Sequence, residues 1–87
     1  KKIVPIYLNN SSAPNGTGFI FKLNRNDNAA FAITNNHVVN NSSFLQVKIL
    51  NKLYSAEILS TNAKKDMAIL MKNLNLKIYL IQFLHTE

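Results

Sequence analysis

Cysteine is absent from the 87-residue sequence, and this absence excludes several kinds of chemistry. No disulfide can stabilise the fold, and neither a thiolate metal site nor a cysteine nucleophile can form. Long hydrophobic runs are also missing: the longest mostly apolar stretch, residues 78–84, is far shorter than the roughly 20 residues of a membrane span. Since residues 1–5 show neither an initiator methionine nor a signal-peptide pattern, we expect an excerpt or a processed product of a longer protein.

Acidic residues are scarce, with four Asp and Glu against ten Lys and Arg, which gives a net charge of +6. The lysines are scattered, however, and form doublets only at Lys1-Lys2 and Lys64-Lys65. Because nucleic-acid-binding proteins usually cluster their basic residues on one face, we interpret this charge as solvated surface and do not expect nucleic acid as a partner. A small basic barrel that binds single strands through lysines and aromatics (Phe19, Phe21 and Phe44) is the weakest alternative.

Six segments have the composition or alternation of β-strands, and turn-forming residues separate them at intervals of about ten residues. These segments are residues 3–8, 16–23, 29–34, 44–50, 53–59 and 67–71. No stretch sustains a helical period, so the sequence predicts an all-β fold, an antiparallel barrel or sandwich, in a single domain spanning residues 1–87. Residues 73–87 are either a closing strand or a connector, and the sequence leaves both open.

Asparagine and glycine mark the predicted irregular positions. The 14 asparagines gather where turns are expected, because Asn tolerates left-handed backbone conformations. At Gly16-Thr17-Gly18 the glycines predict a bulge or a close backbone approach, and we expect Gly18 to stand where a side chain would not fit. Residues 35–39 predict a single helical turn that places His37 at the end of a strand.

His37 and Asp66 are the candidate catalytic residues, and 29 positions separate them in the sequence. A serine hydroxyl becomes a useful nucleophile when an imidazole accepts its proton and a carboxylate orients that imidazole. Taken singly, His37 is more simply a turn or surface residue and Asp66 a turn residue or ion-pair partner. Zinc binding by His37 and His85 is a poor rival, because two histidines fall short of the usual three or four protein ligands. We expect neither a metal nor another cofactor.

Three segments of the chain together form a recognisable pattern: Gly16-Thr17-Gly18-Phe19-Ile20, Ala32-Ile33-Thr34-Asn35-Asn36-His37-Val38-Val39 and Asp66-Met67-Ala68-Ile69-Leu70. In order and spacing they resemble segments of the trypsin-like serine peptidases, and most closely those of the bacterial Deg/HtrA-like group. The resemblance covers residues 3–72 and implies a single six-stranded antiparallel β-barrel, the N-terminal half of a chymotrypsin-like double barrel. It further implies that His37 is the general base, that Asp66 orients it, that the substrate is a polypeptide, and that the protein is secreted or lies in the cell envelope.

The nucleophile of such a peptidase is missing from the sequence. None of the six serines lies in a Gly-x-Ser-Gly setting, and none follows Asp66, although the family order is His, Asp, Ser. In that family the serine belongs to a second, C-terminal barrel, which this chain lacks, so we expect these 87 residues alone to be inactive. The alternative function is a non-catalytic barrel of the same fold that binds a protein partner.

Overall fold

The computed structural model of the chain describes residues 2–73. These residues form seven β-strands and one short helical turn. The elements, in chain order, are β1 (Lys2–Leu8), β2 (Gly16–Asn24), β3 (Ala29–Thr34), α1 (Asn36–Val39), β4 (Leu45–Ile49), β5 (Lys52–Ser55), β6 (Glu57–Asn62) and β7 (Met67–Asn73). The predicted all-β class is confirmed, and so is the helical turn after β3.

All seven strands belong to one sheet in the order β5-β4-β1-β2-β3-β7-β6, and every neighbouring pair is antiparallel. The strands at the two ends of this order, β5 and β6, are consecutive in the chain and only Ala56 separates them. The sheet therefore curls, and its two end strands, β5 and β6, come together at Ala56. The curled sheet forms a barrel half. If β5 and β6 are counted as one bent strand, the number of strands is six, as predicted.

The inside of the curled sheet is a single apolar cluster, because alternate residues of each strand point to the same side. Strand β4 alternates buried and half-buried residues along its whole length. The cluster consists of Val4, Ile6, Ile20, Ala32, Val39, Leu45, Val47, Ile49, Ala68 and Leu70. Burying each of the larger side chains contributes roughly 1.5–3 kcal/mol to folding, and Val39 joins the helical turn to this core.

Two local predictions differ from the structure. The sequence predicted one strand over residues 53–59, whereas the structure has two strands there, and the second, β6, continues to Asn62 because it pairs with β7. The predicted strands 44–50 and 53–59 leave Asn51-Lys52 between them as the turn, but Lys52 pairs with Ile49, so the two-residue turn is Leu50-Asn51. Both turn residues have positive φ, 49° and 68°, as a type I′ hairpin turn requires.

Asparagine occupies most of the left-handed positions, as the sequence predicted. Among the described residues seven non-glycine residues have positive φ, and five are asparagines: Asn9, Asn10, Asn28, Asn41 and Asn51. The remaining two are Leu50 and Asp66.

The C-terminal prediction for residues 73–87 lies outside the described residues beyond Asn73. Within the described part of the chain, no helix has the length and apolar character needed to cross a membrane.

Candidate active site

His37 is the second residue of α1, the helical turn that follows β3. Asn35 stays extended (φ −82°, ψ 139°), so the chain leaves the sheet before it begins to turn. The backbone N–H of Asn40 donates to the carbonyl of Asn36 at 2.8 Å and closes the turn. Val39, only 1% exposed, attaches the turn to the core. A four-residue helix has little stability of its own, so this packing holds His37 in place.

Two glycines make room for the segment that carries His37. A Cβ on Gly18 would lie 2.7 Å from the carbonyl oxygen of Ile33, so glycine allows β2 to lie close to the end of β3. A Cβ on Gly16 would lie 2.6 Å from Cγ1 of Val38, which packs over the start of β2. The expectation that Gly18 stands where a side chain would not fit is confirmed. Neither glycine has a positive φ, so space and not backbone freedom explains both.

Asp66 ends the loop between β6 and β7, directly before β7 begins at Met67. Its backbone N–H donates to the carbonyl of Ala63 at 3.2 Å, and its φ of 53° is left-handed. The side-chain oxygen of Asn62 accepts the backbone N–H of Lys65 at 3.0 Å and tightens the same loop. The loop therefore turns back sharply and directs the carboxylate towards α1.

The carboxylate of Asp66 contacts His37 at two points. Its Oδ1 accepts the backbone N–H of His37 at 2.7 Å, and its Oδ2 lies 2.6 Å from the ring Nδ1. Because an ionised carboxylate can only accept hydrogen bonds, Nδ1 carries the proton and donates it. The other ring nitrogen, Nε2, is then an acceptor in the neutral ring. The two residues that the sequence singled out are thus in contact across 29 positions of the chain.

The site is open to solvent. The side chain of His37 is 71% exposed and that of Asp66 is 42% exposed. Hydrogen bonds from His37 lower the pKa of Asp66 below its ordinary value of 3.8; the backbone N–H contributes most and the ring next, while desolvation acts in the opposite direction. Asp66 is therefore an anion at neutral pH, as an orienting carboxylate must be.

Asn35 belongs to this site, although it was not among the predicted site residues. Its side-chain Nδ2 donates to the backbone carbonyl oxygen of Asp66 at 3.2 Å. The one sequence feature that pointed to Asn35 was its position directly before the helical turn. Asn at that position usually acts as an N-cap, so the position does not indicate a contact with a distant residue. The backbone N–H of His37 was also missed, since no sequence pattern reports a backbone donor.

Serine hydroxyls in the described part of the chain bond locally. Ser42 Oγ donates to the carbonyl of Val39 at 2.9 Å, and Ser43 Oγ donates to Oδ1 of Asn9 at 3.0 Å. Over residues 2–73 no hydrogen bond joins a serine hydroxyl to His37, and no group of three His, Cys, Asp or Glu side chains could hold a metal ion. His85 lies outside the described residues.

Comparison with known proteins relates this fold to a peptidase. No protein-family model matches the chain, and no curated protein is significantly similar to it. Among solved structures, the chain is similar to the serine endoprotease from Yersinia pestis, with a TM-score of 0.65 and 25% identity over 84% of this chain. The match spans 26% of the length of that endoprotease. The structure is therefore that of a serine endoprotease-like barrel half, consistent with one half of a chymotrypsin-like double barrel.

Proposed function

We propose that this chain is the N-terminal barrel of a trypsin-like serine endopeptidase of the Deg/HtrA-like group, with His37 as general base and Asp66 as its orienting carboxylate. The observation that carries the proposal is the 2.6 Å contact between His37 Nδ1 and Asp66 Oδ2, made by a helical turn and a loop on a sheet that resembles part of a serine endoprotease. The nucleophilic serine would come from a second barrel outside these 87 residues.

The arrangement supports the two proton transfers of peptide hydrolysis. With Nδ1–H held by Asp66, the exposed Nε2 accepts the proton of the serine hydroxyl as its oxygen attacks the peptide carbonyl. The imidazolium then returns that proton to the leaving amine. Asp66 stabilises the imidazolium because its lowered pKa keeps the carboxylate ionised throughout. Attack by water on the acyl-enzyme repeats the same transfers and frees the serine.

The exposure of His37 agrees with a site that is completed from outside. A side chain that is 71% exposed leaves Nε2 accessible both to a serine from a second barrel and to an extended polypeptide. No described serine occupies that position, which is why we propose that the 87 residues alone do not cleave peptides.

The test uses the chain extended by the polypeptide that follows it in its natural protein. Hydrolysis of an unfolded protein substrate and covalent labelling by a fluorophosphonate should both be observed in the extended protein, and His37→Ala should abolish them. His85→Ala is the matched control and should retain both, while the 87-residue chain should show neither. An extended protein that neither hydrolyses nor reacts would refute the proposal and favour a non-catalytic binding module.

A further inference from the structure

We propose that Asn35 is a positioning residue of the His37–Asp66 pair: its side-chain amide holds the backbone of Asp66 so that the carboxylate meets the imidazole. The inference rests on the proposed function for its kinetic consequence, but its structural part concerns the contact alone. It is carried by the 3.2 Å hydrogen bond from Asn35 Nδ2 to the carbonyl oxygen of Asp66, a residue 31 positions away.

The side chain of Asn35 is not used as a helix cap. Asn at the residue before a helix normally accepts a backbone N–H from the first turn. Here Asn35 occupies that position but makes no such side-chain bond. The carboxylate of Asp66 takes the N–H of His37 instead, at 2.7 Å, so the turn is capped from a distant loop. This leaves the Asn35 amide free to bond to the same loop.

Three hydrogen bonds consequently join the two segments. Asn35 donates to the backbone of Asp66, and His37 donates to both carboxylate oxygens, once from its backbone and once from its ring. The Asn35 bond is the one among them whose acceptor is the main chain of Asp66. It fixes the position of the Asp66 backbone, from which the side chain extends, and the two bonds from His37 fix the position of the carboxylate.

The backbone of Asp66 needs such a restraint because its φ is 53°. A left-handed residue other than glycine is strained and persists when its surroundings hold it there. If the carbonyl of Asp66 loses its partner, the loop can relax towards negative φ, and that rotation moves the Cβ and the carboxylate away from the ring. The Asn35 side chain also lowers the pKa of Asp66, although less than the hydrogen bonds from His37 do.

The experiment compares Asn35→Ser, Asn35→Ala and Asn36→Ala in the 87-residue chain by NMR. Serine is a good N-cap but is too short to reach the carbonyl of Asp66, so Asn35→Ser separates capping from positioning. We expect Asn35→Ser and Asn35→Ala to raise the pKa of Asp66 towards its ordinary value and to weaken the signal of the His37 Nδ1 proton. The adjacent Asn36→Ala should change neither. If Asn35→Ser matches the unaltered chain in both measurements, the inference is wrong.

Kinetics in the extended protein form the second arm. A misplaced base lowers the rate of the chemical step, so Asn35→Ser should reduce kcat by about tenfold to a hundredfold and leave KM unchanged. An unchanged kcat would refute the kinetic part. The two proposals fail separately: the NMR changes can occur in a protein that has no peptidase activity, and an active peptidase can show no response to Asn35→Ser.

Discussion

One carboxylate, that of Asp66, holds both the main chain and the ring of His37, with Oδ1 2.7 Å from the backbone nitrogen and Oδ2 2.6 Å from Nδ1. Because the two oxygens are rigidly linked, the ring plane is set relative to the helical turn that carries it. If the carboxylate contacted the ring alone, the His37 side chain would rotate more freely about its Cα–Cβ and Cβ–Cγ bonds. The pair is therefore oriented before any substrate binds, although the site is exposed to water.

The proposed function predicts that replacing Asp66 by asparagine abolishes most of the peptidase activity of the extended protein without disturbing the fold. The amide oxygen of Asp66→Asn can still accept the backbone N–H of His37, but its NH₂ group then faces Nδ1. The ring must accept there, so its proton moves to Nε2, which can no longer take a proton from a serine. We expect kcat in the extended protein to fall by about 10⁴.

Asp27→Asn is the control for that substitution, because Asp27 accepts a hydrogen bond from Asn24 in a distant turn. Its kcat should remain that of the unaltered protein. Nitrogen-15 NMR of the imidazole should show the exchanged tautomer in Asp66→Asn alone. Retention of full activity by Asp66→Asn would contradict the role given to Asp66.

Acid should weaken the fold partly through Asp66. Its pKa is depressed in the folded chain, first by the backbone N–H of His37, so the unfolded chain binds more protons as pH falls below the ordinary value of 3.8. The stabilisation is present above that pH and is lost as pH falls through the lower, folded pKa. Urea unfolding at a series of acidic pH values should show a shallower pH dependence for Asp66→Asn than for the unaltered chain. Identical slopes in the two proteins would rule this contribution out.

The two glycines of β2 should differ in their tolerance of alanine. In Gly18→Ala the new methyl group meets a backbone carbonyl, that of Ile33, which cannot move without shifting β3. We expect the free energy of unfolding to fall by about 1–3 kcal/mol. In Gly16→Ala the new methyl group meets the two γ-methyl groups of Val38, at 2.6 and 3.0 Å, and no rotamer of valine clears both positions. A small shift of this half-buried side chain still costs less than moving a strand carbonyl, so the loss should be smaller. Chemical denaturation of both variants measures the difference, and an equal or larger loss in Gly16→Ala would contradict this explanation.

The hairpin turn between β4 and β5 offers a stabilising substitution. Leu50 has a φ of 49° in a turn type that favours Asn or Gly, and its side chain is 37% exposed. Leu50→Asn should remove backbone strain and raise the free energy of unfolding by about 1 kcal/mol. Leu53→Asn, at an exposed strand residue of the same hairpin, is the control and should not stabilise the chain. A lower denaturation midpoint for Leu50→Asn would show that the Leu50 side chain contributes more than the strain costs.

Apolar and β-rich runs bounded by turn residues were enough to predict most strands, and alternation identified strands such as β4, whose two faces show directly in the sequence. The division at Ala56 could not be predicted, since it depends on the distant partners of β5 and β6. The hairpin turn was misplaced by one residue because a leucine with positive φ contradicts local preference and is imposed by the pairing of Ile49 with Lys52.

The site was predictable to a different degree. The resemblance to peptidase segments singled out His37 and Asp66, and the distance between them became known from the fold. Their catalytic roles stay a prediction. The contribution of Asn35 could not be foreseen, because its usual local role at a helix start competes with a contact to a residue 31 positions away.

Ala56 is the single residue between β5 and β6, and it links the two ends of the sheet covalently. The ladder to β4 stops at Ser55 and the ladder to β7 starts at Glu57, so neither ladder can slip without pulling on the other through Ala56. A residue inserted at Ala56 would shift the pairing of β5 with β4 relative to the pairing of β6 with β7. The shift would be transmitted along β7 to the loop that carries Asp66. A change next to the end of β7 opposite to Asp66 should thus disturb the contact between Asp66 and His37 without touching either residue.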